Sequence, residues 1–166
     1  MANTVFRAVD GTMTLAVDDL QTPEGAAANG LIAEYDLSNV VGRLVGVTIS
    51  VDTVLRPFFE IGQRYPTFLR PGTVTVSGTA QRAHVNGALI RLLLGDGAVS
   101  PPSAQNFVQP AFNIVANLRD PAQPDQHTRL TAFGARFASW GYAIPLDDFV
   151  VEHVTFQALR IAFEET

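Results

Sequence analysis

The chain has 166 residues, 47% of them hydrophobic and only 16% charged, and its 16 acidic and 11 basic residues give a formal net charge of −5. That length suits one domain with a proper core, spanning residues 1–166, and the acid excess argues against a general phosphate-binding surface. Cys is absent, which excludes disulfides and thiolate metal sites, and no apolar run approaches the ~20 residues of a bilayer-spanning helix.

Every basic residue is arginine. A GC-rich genome would account for this, and so would a use of Arg forks, which suit interface ion pairs better than Lys. A charged fraction well under the usual ~25% leaves few charges to cover the surface. The chain therefore buries part of its surface against other subunits or holds a larger core than usual. The N-terminal MANTVFRAVDG has no basic segment followed by an apolar one, so no secretory signal is expected.

In chain order, Met13, Leu15 and Val17 alternate with Thr12, Thr14 and Ala16, a first strand. Residues 18–30 (DDLQTPEGAAANG) read as a mobile loop, and 31–37 as a short strand or connector. Residues 44–51 (LVGVTISV) and 73–80 (TVTVSGTA) alternate β-branched residues strictly, the pattern of strands with one face on a core. Between them, residues 52–72 (DTVLRPFFEIGQRYPTFLRPG) are too long for a hairpin turn and too aromatic for a plain solvated loop. Two readings stand. Phe58, Phe59 and Phe68 plug the chain's own core, or the segment is an arm whose aromatics and Arg56, Arg64 and Arg70 dock on another subunit, the usual make-up of interface anchors.

Residues 86–95 fit a buried strand or a short apolar helix over about 86–94, and the dominance of Leu, with Asn86 as N-cap and Gly95 just past the end, favours the helix. A Pro-rich loop over 96–109 leads to a strand at 111–118, and 119–127 is a turn-rich connector. Three closing strands follow at 128–134, 135–144 and 149–163, the last with two mixed faces. All ten prolines fall outside the interiors of the predicted strands. The fold class is mainly β, a sandwich or barrel-like sheet with one short flanking helix at about 86–94 and a long arm loop at about 52–72.

Chemistry is sparse. His84, His127 and His153 show no metal spacing, and Glu152 and His153, adjacent on a strand, point to opposite faces. No nucleophile elbow, P-loop or dinucleotide fingerprint occurs. Asp18-Asp19 and Asp147-Asp148 are paired carboxylates in turns, where nothing in the sequence raises a pKa. No catalytic residue, metal or cofactor is expected, and the protein reads as a non-enzyme.

The runs VGRLVGVTISVD and EIGQRYPTFLRPGTVTVSGTAQRAHVNGALIRLLLG, with the ending FGARFASWGYAIPLDDFVVEHVTFQALRI, resemble the tail tube proteins of tailed bacteriophages, which share a fold with the inner tubes of contractile injection machines. The likeness implies hexameric rings stacked into a hollow tail tube through which DNA is delivered without specific binding. It implies a virion-tail location after assembly in the host cytoplasm, and no membrane. Its implied partners are further copies of the chain, a tape-measure protein, tail terminator and baseplate proteins, and a sheath if the tail is contractile. It also implies an inter-subunit arm built from Arg56, Phe58, Phe59, Glu60, Arg64, Tyr65, Phe68 and Arg70, and an acidic lumen for which Glu152 is the candidate. The rival readings are a monomeric β-sandwich binding module on a virion or cell surface, with a ligand patch of Phe58, Phe59 and Tyr65, and a small hydrolase using Asp147, Asp148 or His127.

Overall fold

A computed structural model describes residues 5–100 and 108–165. Half of the described residues are strand and 17% are helix, and the strands form a curled antiparallel half-barrel with two helices. In chain order these are β1 (Gly11–Val17), α1 (Pro23–Glu34), β2 (Leu44–Phe58), β3 (Phe68–Ala83), α2 (Ala88–Leu94), β4 (Phe112–Arg119), β5 (His127–Ala143), β6 (Val151–Ala158) and β7 (Arg160–Glu165). The spatial order is β1-β4-β5-β6-β3-β2, with β7 also on β5, so β1, β2 and β7 each pair on one side only.

The mainly β expectation holds, with corrections to its elements. Of the expected loop at 18–30 only residues 18–22 are loop, and of the strand or connector expected at 31–37 only 35–37 connect, as a turn; 23–34 is α1. Thr22 caps α1 through Oγ1, which accepts from Gly25 N–H at 3.1 Å, and Pro23 follows in the first turn, where its missing N–H costs nothing. Gly25, Ala28, Leu31 and Ile32 form the buried stripe of that helix. The expected helix at 86–94 is present as α2, capped at Gly87; the Asn86 side chain still accepts from Ala88 N–H at 3.1 Å. Gly95 ends it at φ +57°, a conformation glycine adopts without strain. Seven positions of the expected loop 96–109, residues 101–107, lie outside the described residues.

The three closing strands are divided differently. Residues 128–134 and 135–144 are one strand, β5, bent at Gly134 (φ +63°), while 149–163 is two, β6 and β7, broken at Leu159. The two breaks face each other: Leu159 N–H donates to Phe133 O at 2.9 Å, and Gly134 N–H to Asn113 Oδ1 at 3.1 Å. Here β5 passes from pairing with β6 to pairing with β7, so one sheet curls into the two walls of the half-barrel. A second irregularity between Phe137 and Ser139 lets Phe137 and Trp140 both turn toward the core, which strict alternation over this stretch does not allow.

The core lies between the curled sheet and the two helices. Phe112 and Phe137 meet edge to face at 5.0 Å, with Leu15, Ile114, Val154, Phe156, Leu89, Leu92 and Ile32 around them. The valine face of β2 is not in it. Val45 and Val47 are exposed and border an open groove of about 470 Å³, where the half-barrel remains unclosed between β2 and the β1-β4-β5 wall.

Candidate assembly interface

The segment 52–72 is the largest departure from expectation. It is a continuation of β2 and β3 as a two-stranded ribbon, turned by residues 59–67. Ladder pairing runs on to Arg56 with Arg70, Pro57 with Leu69 and Phe58 with Phe68. The third strand gives out earlier, because β6 pairs with β3 only from Val76 to Ala83. Beyond Val76 the ribbon therefore leaves the body with both edges free. The sequence hides this because Pro57 and Pro71 interrupt the strand pattern. Both prolines lie inside strands, contrary to expectation, and the free edges of the ribbon are where a sheet tolerates a missing donor. A bulge on β3, where Gly72 and Thr73 together oppose Val54, further breaks the alternation.

Every residue from 51 to 75 is exposed. The aromatics do not plug the core: Phe58, Phe59 and Phe68 keep 58%, 58% and 59% of their surface, and Tyr65 keeps 78%. Because partners across a ladder share a face, Arg56, Arg70, Phe58 and Phe68 lie on one side of the ribbon and Leu55, Pro57, Leu69 and Pro71 on the other. Phe59, Glu60, Arg64 and Tyr65 occupy the tip. The eight predicted arm residues are thus gathered on one projecting element, with no apolar cover from their own chain. A lone two-stranded ribbon is at best marginally stable in water, and exposed apolar area of this extent is unusual on a monomeric protein.

Glu152 is a correction. It is wholly buried, so it presents no charge to a lumen. Its Oε1 accepts from Arg82 Nε, and its Oε2 accepts from Trp140 Nε1 at 3.0 Å and lies 3.2 Å from His84 Nδ1. Arg82 is itself buried and donates from Nη2 to Asn86 Oδ1 at 2.9 Å, tying the start of α2 to β3 and β6. His84 stacks on Tyr142 at 5.7 Å. Glu152 shares the core face of β6 with Val154 and Phe156, and its partners come from β3 and β5. Arg82 and His84 lie on one segment, 70 and 68 positions away, and Trp140 on another, 12 away, so the cluster leaves no sequence signal.

Among the described residues no group of three or more His, Asp or Glu side chains is placed to hold a metal ion. Asp147 and Asp148 lie exposed in the turn between β5 and β6, where Phe149 N–H donates to Asp148 Oδ1 at 2.7 Å. No described helix is long and apolar enough to cross a membrane.

No protein-family model matches the chain. The cell division protein FtsZ of Haemophilus influenzae aligns at 28% identity over 142 residues, which is 78% of this chain and 32% of that protein. The chain thus spans about a third of the length of the curated relative it matches, too little to carry that protein's activity across. Solved structures agree over nearly the whole chain. The SPP1 tail tube superposes with a TM-score of 0.59 and 13% identity, covering 98% of this chain and 80% of that one. A chain of the PVC sheath–tube complex, an extracellular contractile injection system, gives 0.57 and 14%, covering 99% and 95%. A chain of the native gene transfer agent virion gives 0.52 and 11%, covering 98% and 99%. At such identities the agreement lies in strand order, curl and flanking helices rather than in residues, and on that ground the chain has the tail-tube fold.

Proposed function

We propose that this protein is a structural subunit that self-assembles into hexameric rings, which stack into a hollow tail tube for DNA delivery. The observation that carries this reading is the ribbon over 51–75, every residue exposed and no apolar cover from its own chain, on a fold otherwise seen in tube assemblies. In the ring, the open edges β1 and β2 meet neighbouring copies, which removes the unpaired edges that a β protein must otherwise blunt. Along the tube axis the ribbon reaches the adjacent ring with Arg56, Phe58, Phe59, Glu60, Arg64, Tyr65, Phe68 and Arg70. The net charge of −5 suits a conduit from which phosphate is repelled, so that DNA slides without sticking. The subunit works without catalysis, on a virion tail assembled in the host cytoplasm. It contacts a tape-measure protein inside, terminator and baseplate proteins at the ends, and a sheath outside if the tail contracts.

Negative-stain electron microscopy with light scattering tests this directly. Rings or stacked tubes with a central hole are expected, and replacing Phe58 and Phe68 together with alanine abolishes them while the melting temperature stays unchanged. Buried interface aromatics are commonly worth about 2 kcal/mol each or more, whereas an exposed side chain contributes little to the fold of a free subunit. A concentration-independent monomer that stays one with tail-tip proteins added would favour a β-sandwich binding module instead.

A further inference from the structure

Arg56 and Arg70 face each other across the ribbon, and neither forms an ion pair among the described residues. Like charges directly opposite in a ladder are destabilising. Flanked by Phe58 and Phe68, this pair makes a basic, aromatic face suited to carboxylates set among apolar side chains. The ribbon itself offers a single acid beyond Asp52, Glu60 at the tip, against three arginines.

A surface of the opposite kind stands at the other end of the same sheet. In the turn between β5 and β6, Asp147 and Asp148 are exposed, and around them Ile144, Leu146 and Phe149 keep 74%, 97% and 82% of their surface. The fold fixes the distance between the two surfaces. Strand β3 starts in the ribbon at Phe68 and ends at Ala83, which pairs with Val151 just past the turn, and His84 N–H donates to Val150 O at 2.8 Å. Sixteen residues of strand separate them, roughly 50 Å at about 3.3 Å per residue. Within one chain they cannot meet, but in two copies arranged head to tail they can.

We propose that the Arg56–Arg70 face of the ribbon docks on the Asp147–Asp148 turn of a second copy of this chain, with Phe58 and Phe68 packing against Leu146 and Phe149. The inference rests on the tube reading and supplies the ribbon's counterpart. Because donor and acceptor surfaces differ, the contact is heterologous: each added copy leaves one ribbon and one turn free, and growth continues along the axis.

Charge reversal tests it on the full chain. Arg56→Asp with Arg70→Asp, and separately Asp147→Arg with Asp148→Arg, are each expected to raise the critical concentration for assembly about tenfold or more, as for close charge pairs at other interfaces. All four residues are exposed, so circular dichroism melts stay at the wild-type temperature. Joining all four reversals in one chain restores the opposite charges with swapped sign and is expected to recover assembly. If the arginine reversals block assembly while the aspartate reversals do not, or the fourfold variant assembles no better than either pair, the ribbon docks elsewhere and this inference is overturned with the tube reading intact. If the wild type forms no rings or tubes, alone or with tail-tip proteins, both fall.

Discussion

The buried Glu152 carboxyl group is held by Arg82 and Trp140, which donate to it, with His84 alongside. An unpaired buried charge costs several kcal/mol, so the pair is far more sensitive to losing one member than to losing both. Glu152→Gln strands the Arg82 guanidinium in the core and is expected to lower stability by about 3–5 kcal/mol, near 10 °C in melting temperature for a domain of this size. The double replacement Arg82→Met with Glu152→Leu is expected to cost less than the single change. Denaturant titration of the three variants checks both statements; a single change no worse than the double would mean that the carboxylate is not what holds Arg82 in place. The same site shows where single-residue reading fails. Alternation places Glu152 correctly on a face shared with Val154 and Phe156, but whether that face meets solvent or core depends on Arg82, seventy positions away.

At the level of elements, the turning point is the pair of breaks at Gly134 and Leu159. With φ at +63°, Gly134 occupies a conformation that other residues adopt only under strain, and a Cβ there would stand 2.7 Å from the Leu159 side chain. Gly134→Val is expected to destabilise by about 2–4 kcal/mol, combining that backbone cost with overpacking; a melt within 1 °C of wild type would show that the bend tolerates a side chain. Strands signalled by clean alternation, such as β1 and the inner halves of β2 and β3, were legible in the sequence, as was α2 with its glycine stop. The rest was not, for separate physical reasons. Through residue 30, helix α1 is mostly alanine, glycine and asparagine, which give little contrast between faces before Leu31 and Ile32, and only Thr22-Pro23 marks its start. The ribbon carries prolines tolerated solely because its edges are free. The join of residues 128–134 with 135–144 depends on Asn113 capping a bulge from another strand. The candidate arm residues stand out because aromatic and arginine composition is visible without knowing the backbone; that they project on two strands rather than a loop was not visible.

For the whole molecule, the decisive property is asymmetry between its two ends. The body holds the core, a hydrophobic cluster shared by both walls and both helices. The ribbon has ladder bonds but no third strand, no helix behind it and no buried side chain. Ribbons of that kind hover between order and disorder in water. In the isolated subunit, backbone amides of residues 52–58 and 68–75 are expected to exchange with deuterium in seconds, while those of β4, β5 and β6 are protected for hours. In assembled tubes the ribbon amides are expected to become protected as well, and equal protection in both states would mean that the ribbon is rigid from the start. On the tube reading, such a ribbon also bears on how a polymer starts and grows. Each docking event waits for one ribbon to settle, whether on a free copy or on a tube end. A tube end would add ring neighbours to that contact, so an arriving subunit is held there longer than by a lone copy, which favours extension over initiation.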